Sequence, residues 1–387
     1  MKIAMALENF SRHGGGVESY AVELARTLIR ANWEVHFFGH SWDGEPEGAI
    51  FHQIRKLHRF CPPSWKLMDF ALCHRRMVRT QHFDILLGFG NTLVMNVYQS
   101  HGGVHFLSNM RKIAGIRNPL LRLMKLLALF TSPKYHARAW IESAPFRSAH
   151  RPVLVAISDM VRNDIESYFR VPDDEVLLVY NGTDPTRFAA ASLENAEELR
   201  RTLGFDSEVL FLFMAYDMRK KGIHYLIEAA AQLRDRAAPK SFGVVVVGRP
   251  PYPGLKRLVR KLNLSDMVVF TGPTREPETY FRACDVFVLP TFYDACSLVV
   301  FEALAAGKPV ITTIFNGAAG AISDGIEGMV LRDPKDVTAL SRAMGRFLDK
   351  EFVVSASEAA RHKGQFYTVE NNHRKMIAIF DTLLQKA

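Results

Sequence analysis

Twice along this chain the same order repeats: an apolar run, a loop, a segment of helical period, then another apolar run. Lys2–Leu7 (KIAMAL) reads as a strand and Glu8–Gly16 (ENFSRHGGG) as a glycine-rich loop. Val17–Ala31 sets Val17, Tyr20, Ala21, Leu24 and Leu28 on one helical face, and Glu34–Gly39 is the next strand. The second half opens the same way, with strand Val209–Ala215, loop Tyr216–Gly222, helix Ile223–Arg236 and strand Phe242–Val247, stopped by Gly248. The alternation continues through helix Leu255–Leu262, strand Met267–Phe270, helix Glu276–Ala283 and strand Val286–Leu289. Parallel strands need crossovers of helix length, so this order predicts an α/β protein with parallel sheets covered by helices. Ligands then bind at the carboxyl ends of the strands.

At 387 residues the chain exceeds one hydrophobic core, so the repeat is read as two Rossmann-like domains. Val153–Ile157 and Val176–Val179 are expected as the last strands of the first. The turn chemistry of Asn181-Gly182-Thr183-Asp184-Pro185 suits a hinge. The expected domains are 1–183 and 184–368. A tail, 369–387, has Met376, Ile377, Phe380 and Leu384 on one helical face and is expected to pack back on the first domain.

The apolar start Met1–Leu7 is too short for a signal peptide, and no stretch is long enough to span a bilayer. Cys61, Cys73, Cys284 and Cys296 form no CxxC pair, which suits reduced thiols and a cytoplasmic chain. Neither Gly14-Gly15-Gly16 nor Gly88-Phe89-Gly90 fits GxGxxG, and GxxxxGK[ST] does not occur, which disfavours dinucleotide cofactors and P-loop chemistry. There is no HExxH and no Asp-x-Asp, so the expectation is no metal and no cofactor. The net charge of +9 is concentrated: residues 51–141 hold 14 Lys/Arg against Asp69 and Asp84, a balance of +12, which leaves −3 for the rest. Such a patch implies an anionic partner.

The most chemically specific stretch is Phe287–Val310 (FVLPTFYDACSLVVFEALAAGKPV). A strand runs to Pro290, a loop holds Asp294, and a helix carries Glu302. Carboxylates so placed accept hydrogen bonds from diol hydroxyls, and the amides of Ala295, Cys296, Ser297 and Leu298 would face a diphosphate. A solvated Asp followed by an ordinary helix Glu is the plainer alternative. Arg219-Lys220-Lys221-Gly222 follows the strand Val209–Ala215, where Lys221 could neutralise a diphosphate leaving group. Gly15 and Gly16 let backbone amides approach a phosphate, or simply form a tight turn. His101 and His105, around Gly102-Gly103 after a strand at Val94–Gln99, suit acceptor contact or a weak base role at His101.

Together these features resemble the retaining glycosyltransferases of family 4, over nearly the whole chain. The resemblance rests on Gly15-Gly16-Val17-Glu18, Asn181-Gly182-Thr183-Asp184 through Phe188, Lys221-Gly222, and Asp294 to Glu302 followed by Ala303–Val310. It implies the GT-B fold, two Rossmann-like domains with sheets facing across a cleft. It assigns the donor ribose to Glu302, the transferred hexose to Asp294, and the diphosphate to Lys221 with Arg219 or Lys220. Gly15 and Gly16 would close over the substrates. Retention then proceeds by departure and attack on one face, and the acceptor proton can pass to the leaving phosphate. The chain departs from the family at Asp294, where Glu is usual, and at Ser297, where Gly is common. The family's GG-xx-E loop is here Asn316-Gly317-Ala318-Ala319-Gly320, without the Glu. His40-Ser41-Trp42 and Gly88-Phe89-Gly90-Asn91 resemble the lipopolysaccharide core glucosyltransferases that act on heptose. The implied substrates are a UDP-linked, glucose-like hexose and a lipid-linked or phosphorylated oligosaccharide acceptor; a non-catalytic sugar-nucleotide or lipid binder is the alternative.

The basic region 103–141 interleaves Arg111, Lys112, Arg117, Arg122, Lys125, Lys134 and Arg138 with Leu120, Leu121, Leu123, Met124, Leu126, Leu127, Leu129 and Phe130. Tyr135 and Trp140 are placed at headgroup level. This reads as a helix lying on an anionic membrane, peripheral on the inner face of the cytoplasmic membrane; a core hairpin over the acceptor is the alternative. Nucleic acid is disfavoured, because the charges alternate with Leu rather than with stacking aromatics and no binding motif occurs.

Overall fold

The computed structural model describes residues 1–11, 14–148, 150–205, 209–236 and 241–386. The chain divides into two compact units, Met1–Tyr180 with Asn372–Ala387, and Asn181–Asn371. The expected bounds at 183 and 368 fall a few residues from these.

The first unit holds strands β1 (Lys2–Ala6), β2 (Glu34–Gly39), β3 (Ile50–Gln53), β4 (Ile85–Gly88), β5 (Val97–Ser100), β6 (Val153–Ala156) and β7 (Val176–Leu178). They form one sheet in the order β3-β2-β1-β4-β5-β6-β7, and every pairing is parallel. The central strands β1, β4 and β6 are buried on both faces, which is why they read as apolar runs, whereas the edge strand β3 is partly exposed. Ile3 and Met5 pack with Ala21, Leu24 and Leu28 of the helix Gly16–Arg30, and with Met376 and Phe380 of the tail. The alternate residues Ala4 and Ala6 meet Phe38, Phe70 and Phe83 on the other face. The tail helix Val369–Lys386 thus completes the first core from the far end of the chain. Asn372 Nδ2 donates to the Tyr180 carbonyl at 2.7 Å, and Thr27 Oγ1 and His373 Nδ1 lie 2.7 Å apart.

The second unit holds β8 (Val209–Ala215), β9 (Phe242–Gly248), β10 (Val268–Gly272), β11 (Val286–Leu289), β12 (Val310–Thr313) and β13 (Gly328–Leu331). Their order is β10-β9-β8-β11-β12-β13, again parallel throughout. In each sheet the order reverses beside the first strand, which is the switch point where α/β sheets bind ligands.

One expected strand is displaced. Val94–Gln99 becomes β5, starting at Val97, because Asn96 turns its side chain inward. Its Oδ1 accepts from the Leu86 amide at 2.7 Å and its Nδ2 donates to the Asp84 carbonyl at 2.8 Å, replacing ladder bonds there. In the expected glycine loop, Arg12 and His13 lie outside the described residues. The basic region forms three helices rather than one: His105–Ala114, Pro119–Phe130 and Pro133–Glu142. Pro119 and Pro133 occupy first turns, and Asn118 and Ser132 cap them by accepting from Leu121 and Tyr135 amides at 3.0 and 3.3 Å. No helix among the described residues is long and apolar enough to cross a membrane.

Candidate active site

The second sheet builds the site from two loops at its carboxyl edge. After β11 the chain turns at Pro290 and Thr291. The Phe292 amide donates to the Lys220 carbonyl at 3.3 Å, tying the β11 loop to the β8 loop. Gly222, at φ +81°, makes that contact possible: a Cβ there would stand 2.0 Å from the Pro290 carbonyl oxygen. No other residue type fits both the space and the backbone angle. The docking brings Lys221 Nζ into an ion pair with Asp294 Oδ2, with both side chains about four-fifths enclosed.

A third loop, after β12, moulds the Asp294 segment. The Asp294 amide donates to the Phe315 carbonyl at 3.0 Å, and the Gly317 amide donates to the Asp294 carbonyl at 2.8 Å. Asn316 is the hub, 1% exposed. Its Oδ1 accepts from the amides of Ser297 (3.3 Å) and Ala318 (3.2 Å), and its Nδ2 donates to Thr312 Oγ1 at 3.1 Å. The Ser297 amide, expected to face a diphosphate, thus donates within the protein to Asn316. Ala295 also has an interaction within the chain. The helix Leu298–Ala305 begins here, and the amides of Leu298 and Val299 have no intrahelical acceptor. The Cys296 thiol is buried, which raises its pKa well above 9.0 and keeps it neutral; the Asn181 amide hydrogen-bonds to it.

Glu302 lies on the helix, largely enclosed. Burial raises its pKa to about 7; the Arg187 guanidinium opposes this and the Glu278 carboxylate adds to it. Arg187 and Glu278 are themselves paired at 2.7 Å. Sequence reasoning missed both, together with Asn316 as an organiser. No local pattern marks them; Arg187 and Glu278 are 91 positions apart.

The three cations after β8 separate. Lys221 takes Asp294, whereas Lys220 Nζ pairs with Asp217 at 2.7 Å and stays exposed. Arg219 stacks its guanidinium 4.0 Å from the Tyr252 ring centroid. Of the expected diphosphate set, Lys221 alone reaches the Asp294 loop by an ion pair.

In the first unit, Gly15 precedes the helix Gly16–Arg30 and its carbonyl accepts from the Ser19 amide at 3.1 Å. Glu18 folds back over the loop: a Cβ on Gly15 would lie 2.7 Å from Glu18 Oε2. That carboxylate lies near the positive end of the helix dipole. His101 is packed against the Tyr20 ring (4.5 Å) and the Phe89 ring (5.4 Å), with its Nε2 unpartnered. Burial pushes its pKa down to about 3, so it is neutral near pH 7 and a feeble base. His105 opens a helix whose first amide is held by both Glu142 carboxylate oxygens, at 3.0 and 3.1 Å, and its ring stacks on Tyr135.

The helix Pro119–Phe130 buries none of its residues. Leu120, Leu123, Met124 and Leu127 are each more than half exposed, and Arg122 and Lys125 stand among them. Two members of the expected patch belong elsewhere. Tyr135 is buried, and Arg111 makes a bidentate pair with the buried Asp164 at 2.6 and 2.7 Å. Among the described residues no group of three or more His, Cys, Asp or Glu is arranged to hold a metal ion.

Comparison with known proteins places this geometry in context. Residues 14–187 match the model of Glycosyltransferase Family 4, and residues 195–365 match that of glycosyl transferases group 1. The D-inositol 3-phosphate glycosyltransferase of Geodermatophilus obscurus is 32% identical over 383 residues, covering 91% of this chain and 81% of that protein. The lipopolysaccharide glucosyltransferase WaaG of Escherichia coli K12 is 23% identical over 351 residues, covering 90% of each. A WaaG crystal structure superposes with a TM-score of 0.79 at 22% identity, covering 98% of this chain and 99% of that one. Anabaena HepE in complex with UDP-glucose gives 0.72 at 17% identity, covering 99% and 100%. The matches to two further curated relatives span only 57% and 60% of those proteins' length.

Proposed function

The chain belongs to the glycosyltransferases of family 4, and from that premise we propose that it transfers a glucose-like hexose from a UDP-linked donor to a lipid-linked, phosphorylated glycan, with retention and without a metal. The observation that carries the reading is the Lys221–Asp294 pair docked beside the helix of Glu302. In this reading Glu302 accepts hydrogen bonds from the ribose diol and Asp294 from hexose hydroxyls. On donor binding Lys221 turns from Asp294 to the diphosphate. The bond from the anomeric carbon to the diphosphate oxygen breaks, and Lys221 with the helix-start amides stabilises the charge that develops there. The acceptor hydroxyl attacks on the same face and its proton passes to the departing diphosphate, so no protein base is required. Arg219 and Lys220 flank the leaving group, Gly15 and Gly16 close over the donor and acceptor, and His101 and His105 belong to the acceptor side.

HepE, solved with UDP-glucose, supports a UDP donor. WaaG, by its name, acts on lipopolysaccharide, and the relative from Geodermatophilus, by its name, acts on D-inositol 3-phosphate. The exposed Leu–Met face of Pro119–Phe130, interleaved with Arg122 and Lys125, favours the lipid-linked acceptor and peripheral binding to an anionic membrane. A panel of UDP-, GDP- and ADP-sugars tests the donor by titration calorimetry and nucleoside diphosphate release. Proton NMR of the product reads the anomeric configuration. Binding confined to GDP- or ADP-sugars refutes the UDP assignment, an inverted anomer refutes retention, and binding without turnover on any lipid-linked glycan supports a non-catalytic receptor instead. Activity abolished by EDTA and restored by a divalent cation overturns metal independence.

A further inference from the structure

A second exposed apolar feature lies in the first unit, outside the basic region already described. The segment joining β3 to the helix Pro63–Val78 carries Phe60, 77% exposed, and the first turn of that helix carries Trp65, 69% exposed. Arg55, Lys56, Arg59 and Lys66 surround them, and no Asp or Glu occurs between Glu47 and Asp69. The segment is an ordered turn. The Cys61 amide donates to the His58 carbonyl at 2.9 Å, the Trp65 amide to the Pro62 carbonyl at 3.0 Å, and Lys66 Nζ to the Arg59 carbonyl at 2.9 Å. The Arg59 guanidinium stands 4.8 Å from the Phe60 ring centroid. The aromatic tips are therefore held outward by backbone bonds, with cations beside them. That combination matches the interface of an anionic bilayer, where aromatic rings sit at headgroup depth and Lys/Arg meet lipid phosphates. The helix that starts here packs on Pro133–Glu142, which carries the exposed Trp140, so one body presents both features.

We infer that the turn bearing Phe60 and Trp65 is a second membrane-inserting element, which with the helix Pro119–Phe130 gives the first unit two points of attachment to an anionic lipid surface. Two points fix orientation as well as affinity, because one short interfacial helix leaves the rest of the unit only weakly restrained against rocking. The inference rests on the membrane reading proposed above.

The test uses the full chain and vesicles of phosphatidylglycerol and phosphatidylcholine, some with brominated acyl chains. In a Trp140→Phe background, which removes the other exposed tryptophan, the protein is expected to show tryptophan quenching that is largely lost on adding Trp65→Phe. Phe60→Ser/Trp65→Ser is expected to partition into vesicles on the order of a hundredfold more weakly, about tenfold per aromatic side chain withdrawn. Both side chains are solvent-exposed, so an unchanged far-ultraviolet spectrum and melting temperature will show that the fold is intact. If wild type does not bind vesicles at low salt, the membrane reading and this inference fall together. If binding persists unchanged in Phe60→Ser/Trp65→Ser but vanishes in Leu123→Asp/Leu127→Asp, or if adding Trp65→Phe to Trp140→Phe leaves the quenching unchanged, this inference alone is wrong.

Discussion

Replacing Glu302 with Gln isolates the electrostatic character of the site. In the folded chain Glu302 holds its proton to about pH 7, because burial and the Glu278 carboxylate outweigh the Arg187 guanidinium. In the unfolded chain it releases that proton near 4.5. Between those values the native state binds more protons than the unfolded state, so stability falls as pH rises through this window. The loss is complete above pH 7. The gap in pKa corresponds to about 3 kcal/mol. A glutamine of the same shape carries no such dependence. Wild type and Glu302→Gln should therefore be nearly equally stable at pH 5, and by pH 8 the variant should be the more stable by up to about 3 kcal/mol. Glu142, in the first unit, is raised to about 7 as well, so a global melt mixes the two. Hydrogen exchange of peptides spanning Leu298–Ala305, compared between wild type and variant across pH 5 to 8, separates them. Parallel profiles, or a wild type that gains on the variant at high pH, would refute the reasoning. The functional counterpart runs the other way: diol hydroxyls donate to a carboxylate, so UDP affinity in wild type should rise through pH 7 and that rise should be absent in Glu302→Gln.

Other outcomes follow from the same geometry. Lys221→Met should lower kcat for donor turnover by about a hundredfold or more, since it removes charge stabilisation of the leaving group, and nucleotide-release kinetics will read it. Gly222→Ala forces a Cβ against the Pro290 carbonyl at positive φ. It should cost about 3 kcal/mol or leave the second unit unfolded, and a wild-type melting temperature would contradict it. His101, with its pKa pushed down to about 3, cannot supply any limb of an activity profile between pH 5 and 9. His101→Asn can change the rate, but the profile's midpoints should stay where they are.

The layered fold was legible because buried parallel strands write themselves as uninterrupted apolar runs. Val209–Ala215 and Val286–Leu289 match their observed bounds for that reason. The places of Lys221 and Asp294 in loops after strands, and of Glu302 in the helix that follows, were legible from the same alternation of strand and helix. What escaped depends on packing between distant segments. Nothing near Asn316 in sequence marks it as the amide that captures Ser297, because that bond joins the exits of two different strands. Arg187 and Glu278 meet only because two short helices lie side by side. Tyr135 was misread for the same reason: periodicity sees an aromatic among cations, and only the folded chain shows His105 stacked on it.

The position of Asn316 bears on how such a chain could change its sugar. One amide fixes the shape of the segment between Asp294 and Ser297, while the neighbouring Gly317–Ala321 turn carries only small side chains. If the reading proposed above holds, enlarging or recharging those small residues would redraw a wall beside Asp294 and leave the carboxylates and the lysine in register. On that reading selectivity and chemistry would rest on separable parts, and a new preference would need only a few changes in one turn.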